Sequence, residues 1–120
     1  MDRIRFEEHQ GKKILIEDFT QLKPGEEFMS TLAAAKTTIA SQPPKSVLAV
    51  LAATGASFNA EILGAMKEFT RDNTPYVKAA TVVGITGMLE VALSAVSKFS
   101  GRDFKSFPTR DAAIEWLVKQ

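Results

Sequence analysis

Ser46-Val47-Leu48-Ala49-Val50-Leu51-Ala52-Ala53 is the stretch on which the fold turns. Its apolar residues fall on both sides of any pleat, as they do in a strand covered by helices on both faces, so this run is expected at the centre of a sheet. Working outward, Thr54-Gly55-Ala56-Ser57-Phe58 is a loop. Asn59 then has the N-cap chemistry of a helix whose first turn holds Glu61 and whose inner face is Ile62, Met66 and Phe69. Asn73-Thr74-Pro75 stops that helix, and residues 76–83 return as a β-branched, mostly apolar strand. Gly84-Ile85-Thr86-Gly87 turns the chain into a helix with the stripe Leu89, Leu93, Val96 and Phe99, which Gly101 ends. A short extended run, residues 103–107, leads through Pro108-Thr109 to a last helix with Asp111 in its first turn and Ala113, Trp116 and Leu117 inward.

Upstream of the central run, Pro24-Gly25-Glu26-Glu27 opens a helix, because proline is tolerated in the first turn and carboxylates favour its positive end. Phe28, Leu32, Ala35 and Ile39 form its apolar stripe, and Pro43-Pro44 ends it. Residues 3–6 and 12–19 are two extended runs about a Gln10-Gly11 turn, hence an antiparallel hairpin in which Ile14 and Ile16 alternate with Leu15 and Glu17. The order is β-β-α-β-α-β-α-β-α. Strands alternating with helices specify an α/β fold whose short sheet is mostly parallel, with an antiparallel N-terminal strand and four helices.

The composition suits one soluble domain over residues 1–120: 45% of residues are hydrophobic and 24% charged. Fifteen Lys and Arg against fourteen Asp and Glu leave a net charge of +1, so no net field favours nucleic acid as a partner. The absence of cysteine and the single histidine, His9, exclude disulfides, thiolate nucleophiles and zinc-finger ligation. Charged residues stand where a signal peptide needs an apolar core, and residues 79–96 are interrupted by Gly84, Thr86, Gly87 and Glu90. A cytoplasmic location and no membrane span are the expectation.

In a parallel sheet the default ligand site is the carboxyl end of the strands, where residues 18–20, 54–59 and 84–87 should meet. Asp18, Gly84, Thr86 and Gly87 are therefore the candidates for a ligand or strand-end site. The loop of Gly84 and Gly87 lacks the G-x-G-x-x-G spacing and the P-loop lysine, so close packing and helix capping explain it better than a phosphate. Glu17 and Asp18 close a strand without a companion carboxylate, histidine or metal set, and read as an exposed edge residue or a turn acceptor. His9, lacking companion ligands, reads as a solvated surface residue, and Lys78 as a lysine that snorkels to solvent. No catalytic residue, metal ligand or cofactor is expected. Phe28, Met29, Phe58, Phe69 and Phe99 are many large side chains for four helices over a small sheet, and an excess would make an apolar pocket or a dimer face.

The element order, the run Gly11-Lys12-Lys13-Ile14-Leu15-Ile16-Glu17-Asp18-Phe19, the segments Thr54-Gly55-Ala56-Ser57-Phe58-Asn59 and Asn73-Thr74-Pro75-Tyr76-Val77-Lys78, the turn Val83-Gly84-Ile85-Thr86-Gly87 and the ending from Phe107-Pro108-Thr109 to Glu115-Trp116-Leu117 resemble small bacterial proteins of the SpoIIAA-like or STAS type. The resemblance covers nearly the whole chain. It implies an α/β fold related to anti-sigma-factor antagonists and loosely to the lipid-carrying SEC14 domain, and no catalytic set. In the antagonists a Ser or Thr at the start of the second helix is phosphorylated and the phosphate blocks docking. The corresponding loop here holds Thr54 and Ser57, without the family's Asp-Ser-Ser or Asp-Ser-Thr element.

The expected function is thus non-enzymatic: a docking or regulatory domain that meets a protein partner and a second copy of itself, as a homodimer, through Thr54, Ser57, Phe58 and Asn59, and is switched by phosphorylation there. The alternative is a carrier or sensor of a small apolar, lipid-like ligand held between helices and sheet. An enzyme built on Asp18 is third, for want of a base and nucleophile pair. An internal pocket of roughly 300 Å³ or more would favour the ligand, a filled core the docking role.

Overall fold

The computed structural model describes residues 3–120, which form β1 (Ile4–His9), β2 (Lys12–Asp18), α1 (Glu26–Ala40), β3 (Val47–Ala52), α2 (Ala60–Asn73), β4 (Val77–Val83), α3 (Met88–Ser100), β5 (Lys105–Phe107) and α4 (Arg110–Leu117). The strands lie side by side in the order β1-β2-β3-β4-β5, so the Val47–Ala52 run is the centre of the sheet. β1 and β2 pair antiparallel, and all later pairs are parallel. Gln10 and Gly11, at φ 52 and 77, are both left-handed, the conformation whose twist suits a two-residue hairpin. The pairing carries β1 three residues beyond the expected end, to His9, while β5 is only three residues long.

Alternation along β2 divides the interior in two. Ile14 and Ile16, with Leu48 and Val50, pack beneath Ala113, Ile114 and Leu117 of α4. Leu15, on the other face, joins Phe19, Leu22 and the α1 stripe Phe28, Leu32, Ala35 and Ile39, together with Ile62 and Phe69 of α2. The α1 stripe is buried at every expected position. Asn59 caps α2 by accepting a hydrogen bond from the Ile62 N–H at 2.9 Å, and Thr109 caps α4 through the Ala112 N–H.

The α3 stripe is where the structure departs from expectation. Only Val96 is buried, whereas Phe99 is 50% exposed, and Met88 and Val91 are more exposed still. α3 packs chiefly on α2 rather than on the strands. Phe99 lies against that neighbour instead of in the core, with Lys67 and Arg71 of α2 each within 6 Å of its ring. The apolar spacing is that of a helix, but α1 and α2 already occupy the main core on this face and leave α3 at its margin.

Candidate functional site

Since Ile14 and Ile16 face α4, the same alternation sends Glu17 to the face shared with α1 and α2. There it pairs with Ile4 on one side and Leu51 on the other, so it lies inside the sheet rather than at its edge. Only 5% of it is exposed, and its Oε1 has no hydrogen-bond partner. A carboxylate stripped of water and unpaired is costly, so burial pushes the Glu17 carboxyl up to about 8, against the opposing pull of the Arg102 charge. Glu17 is accordingly protonated at neutral pH.

Arg102 reaches the same space from the connection between α3 and β5. One Nη1 N–H donates to the Thr70 carbonyl of α2 at 3.2 Å, and the guanidinium lies 5.1 Å from the Phe104 ring. Burial lowers its pKa and Glu17 raises it, with a net lowering, but a guanidinium keeps its proton throughout the working range.

Both groups line a cavity of about 100 Å³, floored by the sheet and walled chiefly by α2 and α3. Glu17 and Arg102 are its only titratable residues among those described; the rest of the lining is apolar apart from Ser57, Thr70, Asn73 and Thr81. Thr81 is committed to the Ala49 carbonyl. The floor is not sealed: Leu51 and Ala80, on the two central strands, remain half-buried although helices lie over them. Ser57 is the exposed member of the lining and marks the mouth.

No protein-family model matches the chain, and no curated protein does. A solved structure does: the crystal structure of an uncharacterized protein from the DUF3478 family with a SpoIIAA-like fold, from Shewanella loihica PV-4, has a TM-score of 0.69 at 18% identity, covering 95% of this chain and 91% of that one. The fold is SpoIIAA-like. Identity this low carries the architecture and no more, so what the site does must come from its own chemistry.

In this SpoIIAA-like domain the carboxyl ends of the parallel strands gather the loops that the sequence placed there. The Phe19 N–H bonds to Ala52, the Gln21 N–H to Thr54 and the Ala53 N–H to Val83. Thr54 and Ser57 are exposed, Phe58 is half-buried against the α1–α2 core, and Asn59 is occupied as the α2 cap. Asp18 is a turn acceptor, taking hydrogen bonds from both the N–H and the hydroxyl of Thr20, with Arg3 3.7 Å away. Burial raises its pKa, but those bonds and Arg3 prevail and hold it below the usual carboxylate range. Thr86 and Gly87 are exposed at the start of α3, while Ile85 between Gly84 and Thr86 lines the cavity. Close packing explains Gly84, where a Cβ would stand 2.7 Å from the Thr54 nitrogen, but not Gly87, which meets nothing within 4 Å and instead needs its φ of 57°.

Glu17, expected as an exposed edge residue or a turn acceptor, is instead buried in the cavity wall, and Arg102 is a group that nothing in the sequence singles out. The signal for Glu17 was present: a carboxylate in register with Leu15 belongs to the helix-covered face. Arg102 carried none, because only the path of α3 brings it back over the sheet. His9 is half-buried, with Nε2 3.1 Å from Glu7, and Lys78 is exposed.

Proposed function

We propose that this SpoIIAA-like domain is a non-enzymatic binding module holding a small, largely apolar ligand between the sheet and helices α2 and α3. The observation that carries this reading is the cavity itself, an apolar space with an unpartnered, buried Glu17 in its wall. Native interiors seldom leave either an apolar void or an orphaned carboxyl, and their coincidence is what a ligand site requires. At about 100 Å³ the volume falls short of the roughly 300 Å³ of a typical ligand pocket, so the ligand is smaller than a lipid.

Native mass spectrometry of protein purified without denaturant tests the reading together with a thermal-shift panel of small amphiphiles. A retained adduct or a raised melting temperature is expected, because a ligand that binds only the native state stabilises it. No adduct and no shift across the panel would sink it.

Docking through the loop between β3 and α2 is the second reading, supported by the exposed hydroxyls of Thr54 and Ser57. A phosphate on Ser57 would lie just before the amino end of α2, where helix dipole and free N–H groups favour an anion, and it would add up to two negative charges at the cavity mouth. Ser57→Asp is expected to abolish capture of a protein partner, or self-association as a homodimer, with little change in melting temperature. Mass spectrometry of protein from its native host finding both hydroxyls always unmodified would remove the phosphorylation switch.

A further inference from the structure

If the cavity is a ligand site, as proposed above, its charge inventory narrows the ligand further. We propose that the ligand is a small monocarboxylic acid whose carboxylate lies between the Arg102 guanidinium and the Glu17 carboxyl and whose apolar body fills the space beneath α3. Arg102 uses one N–H on Thr70 and offers the rest of its fork, whose planar geometry matches a carboxylate. Glu17, neutral at pH 7, donates its proton to the second carboxylate oxygen, so the partner that Oε1 lacks in the free protein is supplied by the ligand. An alcohol would satisfy Glu17 but leave the Arg102 charge uncompensated. An amine would meet Arg102 as a like charge and would need Glu17 to ionise in an apolar wall.

The pH dependence is set by the groups that face Glu17. α1, α2, α3, β3 and β4 present only apolar side chains, hydroxyls and Asn73 to the cavity, and Arg102 alone brings a charge. Ionisation of Glu17 as pH rises through about 8 sets one carboxylate against another and also neutralises the Arg102 field. Carboxylate affinity is therefore flat below that pH and falls about tenfold per unit above it.

Three probes of five carbons each decide the matter: pentanoate, pentanol and pentylamine, titrated into the full chain by calorimetry and by amide NMR at pH 6 to 9.5. Pentanoate is expected to bind most tightly, to shift the signals of Glu17, Thr70 and Arg102, and to lose affinity above pH 8. Glu17→Gln, which keeps a donor but does not titrate, is expected to weaken pentanoate severalfold and to abolish the pH dependence. Arg102→Met is expected to weaken it more than tenfold; Arg102→Lys, which keeps the charge without the fork, should fall between, and melting curves confirm that each variant is folded. Pentanol binding as tightly as pentanoate would overturn the acid while leaving the apolar cavity standing. Tightest binding by pentylamine, or a pH dependence that survives Glu17→Gln, would overturn it too. If none of the three binds, the acid and the cavity reading fail together.

Discussion

A carboxyl buried without a hydrogen-bond partner ties folding to pH. The Glu17 pKa is raised in the folded chain from an ordinary 4.5 to about 8, so between those values the native state holds a proton that the unfolded state has released. Stability therefore falls as pH rises through that window, by about 1 kcal/mol per pH unit, and levels off above it. Glu17→Met, which removes the titration at similar volume, is expected to raise the melting temperature most at pH 9 and least near pH 5; an equal gain at both would contradict the assignment. Two glycines make a second test at this scale. Gly84→Ala adds a Cβ at a φ of 79° and against the Thr54 backbone, and should destabilise by more than about 1 kcal/mol in urea denaturation. Gly64→Ala, inside α2 with nothing within 4 Å, should stabilise by about 0.5–1 kcal/mol. Gly84 was legible as a close approach, yet which atoms it spares was not, because Thr54 is thirty residues away in the chain.

Helices α1 and α3 show how far a stripe of apolar residues can be trusted. Both have helical periodicity, and both form helices. The sequence states which face of each is apolar but not how much core remains to receive it. α1 is anchored at Phe28, Leu32, Ala35 and Ile39, whereas α3 buries Val96 alone. Few buried apolar contacts mean a low free energy of local opening. In native-state hydrogen exchange the α3 amides are expected to exchange before those of α1, α2 and β3, at rates that slow when the cavity is filled; α3 amides as protected as β3 would refute this. The Asn59 cap, being local, was legible, whereas the Thr109 cap was not singled out and α1 and α3 start at Gly25 and Gly87 without a side-chain cap. Asn59→Ala should cost about 1 kcal/mol of stability by chemical denaturation, since the Ile62 N–H loses its acceptor at the start of α2.

Across the whole molecule, element order and hydropathy sufficed for the central place of β3 and the mixed, mostly parallel sheet, because parallel pairing with helical crossovers admits few arrangements. Sites assembled from distant segments were not legible in the same way. Lys12, Lys13, Lys45 and Lys78 are spread over the sequence yet border one open groove, each with its ammonium already donating to a carbonyl or amide oxygen. Ligand linkage acts at the same scale: at a hundredfold excess over its dissociation constant, a ligand specific to the native state adds about 3 kcal/mol to global stability. Saturating pentanoate should thus raise the melting temperature at pH 7 and lose that effect at pH 9.5.

The two borders of the sheet also bear on how the chain behaves when crowded. An unpaired strand edge is a template on which another chain can grow a fibril. Here β5 offers only three residues to such growth, and the outer strand β1 carries Arg5, Glu7 and His9 on the side away from α1, tied together through the Glu7 carboxylate. A newcomer strand on β1 would have to lie beside that fixed charge, and one on β5 would find little backbone to pair with. Both borders of the sheet are thereby poor templates for growth from molecule to molecule.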